Sequence, residues 1–286
     1  MSEAKTMQGK ICLVTGGTSG IGLVTAKVLA SQGASVVIVG RDPARTRSAA
    51  EQIQRDSSNG EVTSLIADLS SQEQIRRLAK DFQSRFSRLD VLINNAGAIF
   101  SKRQLSVDGI EMTLAVNHLG YLLLTHELTE ILKSSAPCRV INVASNAHRN
   151  GKIDFDDLQG ERRYSAWSAY CQSKLANILF TYQLANRLAR TGVSANALHP
   201  GFVATNLGRN NRDFFGFMVR VIMWIAAINP NDGAKTTIYL ASSPRVEGIT
   251  GKYFYKERQV ESSPISYDSD VAERLWKNSV ELTGFH

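Results

Sequence analysis

Apolar, β-branched runs alternate with segments of helical period along almost the whole chain. The runs predict strands over 10–15, 35–39, 62–66, 89–93, 139–143, 193–198 and 251–254. Between and after them, apolar positions recur at the helical interval and predict helices over 20–32, 43–56, 71–86, 110–133, 168–191, 230–242 and 268–283. Strand, helix and strand at this spacing imply parallel pairing with a crossover helix. The expected fold is one α/β domain over 1–286, a doubly wound parallel sheet with helices on both faces. No Pro- or Ser-rich linker divides it.

Two segments break the rhythm. Residues 146–166 are irregular and polar, and 207–229 begins with Gly208-Arg209-Asn210-Asn211-Arg212-Asp213 before an apolar run over 214–228. Ligands of open α/β sheets bind at the carboxyl ends of the strands. Both segments follow strands, so both are expected to border the site. The apolar run reads either as a buried core helix or as a mobile lid near 207–229 over a greasy substrate. An open lid could also rest on a membrane surface, aided by Arg209, Arg212 and Arg220.

Composition narrows the class. Hydrophobic residues make up 43% and charged residues 21% of 286, which excludes disorder, collagen and coiled coil as whole-chain readings. The formal charge of +7 is spread along the chain and does not by itself imply nucleic acid. Cys12, Cys138 and Cys171 are few, odd in number and without metal spacing, which suits a reducing compartment. The five histidines have no metal spacing either, so no metal is expected. Residues 1–8 read as neither signal peptide nor anchor, and a cytoplasmic protein is expected. The 214–228 run carries Arg220 and falls short of the about 20 residues a bilayer needs.

The first strand runs into Thr15-Gly16-Gly17-Thr18-Ser19-Gly20-Ile21-Gly22 and then a helix. Glycines there let the backbone approach a pyrophosphate at the positive helix N-terminus. No Lys-Ser/Thr ending follows, which disfavours a Walker-type loop. The second strand ends at Gly40-Arg41-Asp42. An acid first in this place would bind a ribose 2′-OH, whereas Arg41 can pair with a 2′-phosphate. Asp42 before Pro43 reads as a helix N-cap, and Arg45 is a second candidate contact. The arginines could equally be merely solvated. Asp68 could accept from an adenine amino group, cap the helix near 71–86, or do both.

The fourth strand leads into Asn94-Asn95-Ala96-Gly97, small and amide residues suited to a ligand-facing turn. Asn117 is out of place inside a helical segment. It either bonds backbone locally, or opens the helix and holds a water. The fifth strand is followed by Ala144-Ser145, and Tyr170 and Lys174 lie four apart on one helix face. A nearby ammonium favours phenolate and would lower the Tyr170 pKa toward working pH. Tyr170 could then exchange a proton with a carbonyl or alcohol whose oxygen Ser145 holds.

Together these pieces resemble the short-chain dehydrogenase/reductase family. The resemblance rests on Thr15-Gly-x3-Gly-Ile-Gly22, Asn94-Asn-Ala-Gly97, Asn117, Ser145, Tyr170-x3-Lys174 and Pro200-Gly201-x3-Thr205, in that order over about 9–255. It implies a Rossmann-type fold and a catalytic tetrad of Asn117, Ser145, Tyr170 and Lys174. Asn117 would hold a water that links Lys174 to solvent. The implied cofactor contacts are Gly16, Thr18, Ser19, Gly20, Ile21, Gly22, Arg41, Asp68, Leu69, Asn94, Ala96, Gly97, Tyr170, Lys174, Pro200, Gly201, Val203 and Thr205. One departure is Ala144, where Ser is common.

Finer features resemble the retinol dehydrogenase-like branch: Asn117-His118-Leu119-Gly120, the run from Tyr170 to Phe180, Asp157-Leu158-Gln159-Gly160 and Ala272-Glu-Arg-Leu-Trp276. That branch implies NADP(H) and a hydrophobic substrate such as retinal, a long-chain or aromatic aldehyde, or a steroid-like ketone. The family also pairs helices 110–133 and 168–191 in a homodimer. Competing readings are a non-catalytic NADP(H)-binding sensor on the same fold and a light-dependent pigment reductase.

Overall fold

The computed structural model describes residues 6–59, 61–201 and 229–285. Eight strands form one sheet in the order β3-β2-β1-β4-β5-β6-β7-β8. They are β1 Ile11–Thr15, β2 Ser35–Gly40, β3 Val62–Ile66, β4 Val91–Asn94, β5 Cys138–Val143, β6 Val193–Leu198, β7 Lys252–Tyr255 and β8 Arg258–Gln259. The first seven are parallel, as the alternating pattern predicts. β8 is an addition to that pattern, two residues that turn back antiparallel on β7.

Both faces of the sheet are covered. Alternate side chains of one strand point to opposite sides. Leu13, Val37 and Val39 pack with Ile75, Leu78 and Phe82 of the helix Gln72–Arg85 and with Phe180 and Leu184 of the helix Ala166–Arg187. Cys12, Val14, Val36 and Ile38 pack the other way. They meet Leu29 of the helix Gly20–Ser31, Ile53 of Pro43–Ser57 and Leu240 of Pro230–Ser242. β1 lies between β2 and β4, so the chain order reverses at its carboxyl end. Crevices form at such a switch point.

One expected element changes character. The helix read over 110–133 is broken into Met112–Leu114, a π-helical turn Ala115–Leu119, Gly120–Glu127 and Thr129–Ser134. Its apolar period continues through the break, which is why the pattern hides it. Val203, Thr205 and all but the last residue of the 207–229 lid segment lie outside the described residues. No helix among the described residues is long and apolar enough to cross a membrane.

Candidate active site

The Gly-rich turn after β1 is tied to the turn after β4. Thr15 Oγ accepts from the backbone N of Asn95 at 2.8 Å and of Ala96 at 3.1 Å, and Asn95 Nδ2 donates to Thr15 O at 2.8 Å. Gly16 sits at φ 67°, in the left-handed region that favours glycine. A Cβ on Gly22 would stand 2.4 Å from Gly16 O and 2.5 Å from Asn95 Nδ2, so a side chain there would force the turns apart. Thr18, Ser19 and Gly20 are half-buried along the turn, and Ile21 packs inward beside Ala234. Ser19 is extended and makes no capping bond, and no acid stands in the first turn of Gly20–Ser31. The positive helix end therefore has no carboxylate of its own, and this cradle fits the pyrophosphate of a dinucleotide.

At the next strand end Asp42 accepts from Arg45 N at 2.8 Å, which is the expected N-cap. Arg41 thus stands exposed between strand and helix. Asp68 does not cap the following helix, because Ser71 does. Asp68 Oδ1 instead accepts from Ser70 N at 2.9 Å and Ser70 Oγ at 2.8 Å, which shapes the turn at buried Leu69. The Asn94 side chain faces the interior, donating to Thr125 Oγ at 3.0 Å and Asn142 Oδ1 at 2.9 Å. Ala96 and Gly97 are half-buried beside it, as are Pro200 and Gly201 after β6.

The catalytic candidates come from three separate elements. Ser165 caps the helix Ala166–Arg187, which carries Tyr170 and Lys174, both buried. Lys174 Nζ donates to Val143 O, the last carbonyl of β5, at 3.1 Å. It lies 5.7 Å from the ring centres of both Tyr170 and Tyr121. Ser145 caps the short 3-10 helix Asn146–Asn150, its Oγ accepting from Ala147 N at 3.2 Å, which leaves the hydroxyl proton to donate.

Asn117 sits in the π-turn and is fully buried. Its Oδ1 accepts from Ala98 N at 2.8 Å, while Nδ2 donates to Ala98 O at 2.9 Å and Ser173 Oγ at 3.0 Å. Of the two expectations for Asn117, the opened helix is found, whereas the backbone it bonds is that of Ala98, 19 residues away, and not a local one. Widened turns of this kind occur frequently at functional sites. A Cβ on Gly97 would stand 3.5 Å from both Asn117 Oδ1 and Lys174 Nζ, so Gly97 lines the same space as the two side chains.

Burial sets the protonation of the pair. It pushes the Tyr170 phenol up to about 12, with the Ser145 hydroxyl pulling the other way and Cys171 adding to the rise. This reverses the direction expected from Lys174, because desolvation of the phenolate dominates and only the Ser145 hydroxyl opposes it. The phenol therefore keeps its proton at neutral pH, the form a proton donor needs. Burial also pushes Lys174 down to about 7.

The roles of several residues here escape sequence reading, although Thr15 and Asn95 stand inside the motifs themselves. Thr15 and Asn95 tie the two turns, and Tyr121 Oη donates to Ala96 O at 2.7 Å. Ser173 donates to Tyr170 O at 2.8 Å while accepting from Asn117. A small polar residue three places from Tyr170 on an apolar helix face was the available signal. Among the described residues, no group of three or more His, Cys, Asp or Glu side chains is placed to hold a metal ion.

A family model for short chain dehydrogenases matches residues 10–214. Retinol dehydrogenase 12 of Homo sapiens is 44% identical over 283 residues, covering 97% of this chain and 87% of that protein. A crystal structure of an uncharacterized protein from Mycobacterium Paratuberculosis superposes with a TM-score of 0.80 at 33% identity, covering 100% of this chain and 99% of that one. The Pseudomonas aeruginosa RhlG/NADP complex gives 0.68 at 29% identity, with 89% and 97% covered. The Brucella melitensis 3-ketoacyl-(acyl-carrier-protein) reductase complexed with NADH gives 0.66 at 27%, with 86% and 96% covered.

Proposed function

Because the chain belongs to the short-chain dehydrogenase family, we propose that it is an NADP(H)-dependent enzyme interconverting an aldehyde and an alcohol on a hydrophobic, retinoid-like, long-chain or aromatic skeleton. The family chemistry is alcohol/carbonyl oxidoreduction with a nicotinamide cofactor. The observation that carries the reading is the burial of Tyr170 and Lys174 together on one helix face, beside Val143 and Ser145 at the end of β5.

The cofactor, when bound, supplies or accepts the hydride. The Gly16–Gly22 cradle would hold its pyrophosphate, and Arg41 its 2′-phosphate. Ser145 donates a hydrogen bond to the reacting oxygen, keeping its own proton, and holds that oxygen near Tyr170. Tyr170 delivers its phenolic proton to that oxygen in reduction and takes one back in oxidation. Lys174, with its proton affinity brought near neutrality by burial, supports the phenolate formed in that transfer and can replenish the proton. Asn117 fixes the helix turn between Tyr170 and Lys174 through Ser173.

Two features support an apolar substrate. The relatives at 44% and 42% identity are named retinol dehydrogenases. Trp167 is 51% exposed although apolar, and its ring centre lies 6.0 Å from that of Tyr170. An aromatic surface at the mouth of the site suits a flat or greasy chain. The test is NADPH consumption in the dark over a panel of aldehydes and ketones. Retinal and long-chain aldehydes should turn over faster than short ones, and NADPH should serve better than NADH. Tight NADPH binding with no turnover on any of them would favour a sensor instead.

A further inference from the structure

We propose that His148 is a positioning residue for Ser145, through which the C-terminal segment 261–263 holds the serine in place. The inference rests on the reading that Ser145 binds the reacting oxygen. His148 is fully buried and takes no part in the proton transfer itself. Its Nδ1 lies 2.7 Å from Ser145 O, and its backbone N donates to the same carbonyl at 3.1 Å. Its other nitrogen, Nε2, lies 3.0 Å from the backbone N of Ser263.

That last bond fixes the tautomer. An amide N–H can only donate, so Nε2 must accept and the ring proton sits on Nδ1, facing Ser145 O. Burial also holds the imidazole below its ordinary pKa and keeps it neutral. The ring packs edge-on against Tyr253, with centres 5.0 Å apart, and the Tyr253 hydroxyl lies 3.4 Å from Nδ1.

The far anchor is itself tied down. Arg149 Nη2 donates to Glu261 O at 2.7 Å. Ser262 N donates to Tyr267 Oη at 3.1 Å, and the Ser262 and Tyr182 hydroxyls lie 2.8 Å apart. Tyr182 belongs to the helix that carries Tyr170 and Lys174. A rigid path therefore runs from that helix through 261–263 and the imidazole to the Ser145 carbonyl. It sets the serine relative to Tyr170 from outside the β5 strand end that leads into it. Small misplacements of a reacting group can cost about 100-fold in rate.

Substitutions can separate this role from simple core filling. An Asn amide can imitate the Nδ1 donor and a Gln carbonyl the Nε2 acceptor, while Phe keeps the volume and removes both. His148→Phe should lower kcat roughly tenfold or more while NADPH affinity stays within about twofold. His148→Asn should recover kcat to within about threefold of wild type, and His148→Gln should not. In a Ser145→Ala background, His148→Phe should lower kcat by less than about twofold, because the imidazole acts through the serine.

Equal loss of kcat in both backgrounds overturns the proposal, as does a wild-type kcat in His148→Phe when Ser145→Ala is crippled. Wild-type turnover by Ser145→Ala itself would instead remove the reading of Ser145, and the proposal with it. Should His148→Phe not fold, the Asn and Gln variants decide alone, and equal kcat in those two would refute the role.

Discussion

Asn117 Nδ2 donates to Ser173 Oγ at 3.0 Å, fastening the π-turn to the helical turn between Tyr170 and Lys174. Ser173 passes the hold on by donating to Tyr170 O at 2.8 Å. Both residues are buried, so neither bond is exchanged for water.

Ser173→Ala should therefore do two things at once. The substitution leaves the buried Asn117 Nδ2 proton without its acceptor, which costs about 1–3 kcal/mol, so the urea midpoint should fall by that equivalent with an unchanged m-value. Turnover should fall several-fold as Tyr170 loses its register, while NADPH affinity holds. Unchanged turnover would mean that the clip serves stability alone.

Tyr170→Phe retains the ring and removes the proposed proton donor. Turnover should fall by about 100-fold or more, the range general acid catalysis supplies, with NADPH binding nearly intact. Steady-state rates and a fluorescence titration of NADPH check both halves. Activity within a few-fold of wild type would assign the proton to another group.

Arg41→Ala should narrow cofactor preference. A charge-assisted bond to the 2′-phosphate contributes roughly 1.5–3 kcal/mol, or about ten- to a hundredfold in the NADP/NAD affinity ratio. Dissociation constants for both cofactors, in wild type and variant, measure it. Equal affinities in the wild type would remove Arg41 from the cofactor site.

Lys174 makes stability depend on pH. Folded, it gives up its proton near 7 under the weight of burial; unfolded, it does so near its ordinary 10.5. Between those values the unfolded chain binds the extra proton, so folding stability should rise with pH across that window. Below it, the buried ammonium exacts its full cost. Lys174→Met should flatten the rise by an amount on the order of a few kcal/mol. Urea midpoints at the two ends of the window test this, and parallel slopes in both proteins would contradict it.

The family resemblance implies a homodimer through helices 110–133 and 168–191; sedimentation of the purified protein should then give twice the mass of the chain, and a monomer mass would contradict it.

Local pattern by itself determined the parallel α/β order, the Gly16–Gly22 turn and the Tyr170/Lys174 pair. A period of two or of 3.6 and a glycine at a strand end leave their mark within a few residues. Only tertiary structure decided the break at Asn117, because the apolar face of 110–133 keeps its period across the π-turn and its partners, Ala98 and Ser173, are remote in sequence. It likewise gave Asp68 to a local turn, since Ser71 is better placed to cap. The raised proton affinity of Tyr170 belongs to the packed site as well. Desolvation depends on everything that surrounds a group, and no spacing along the chain records how much of that surrounding is water.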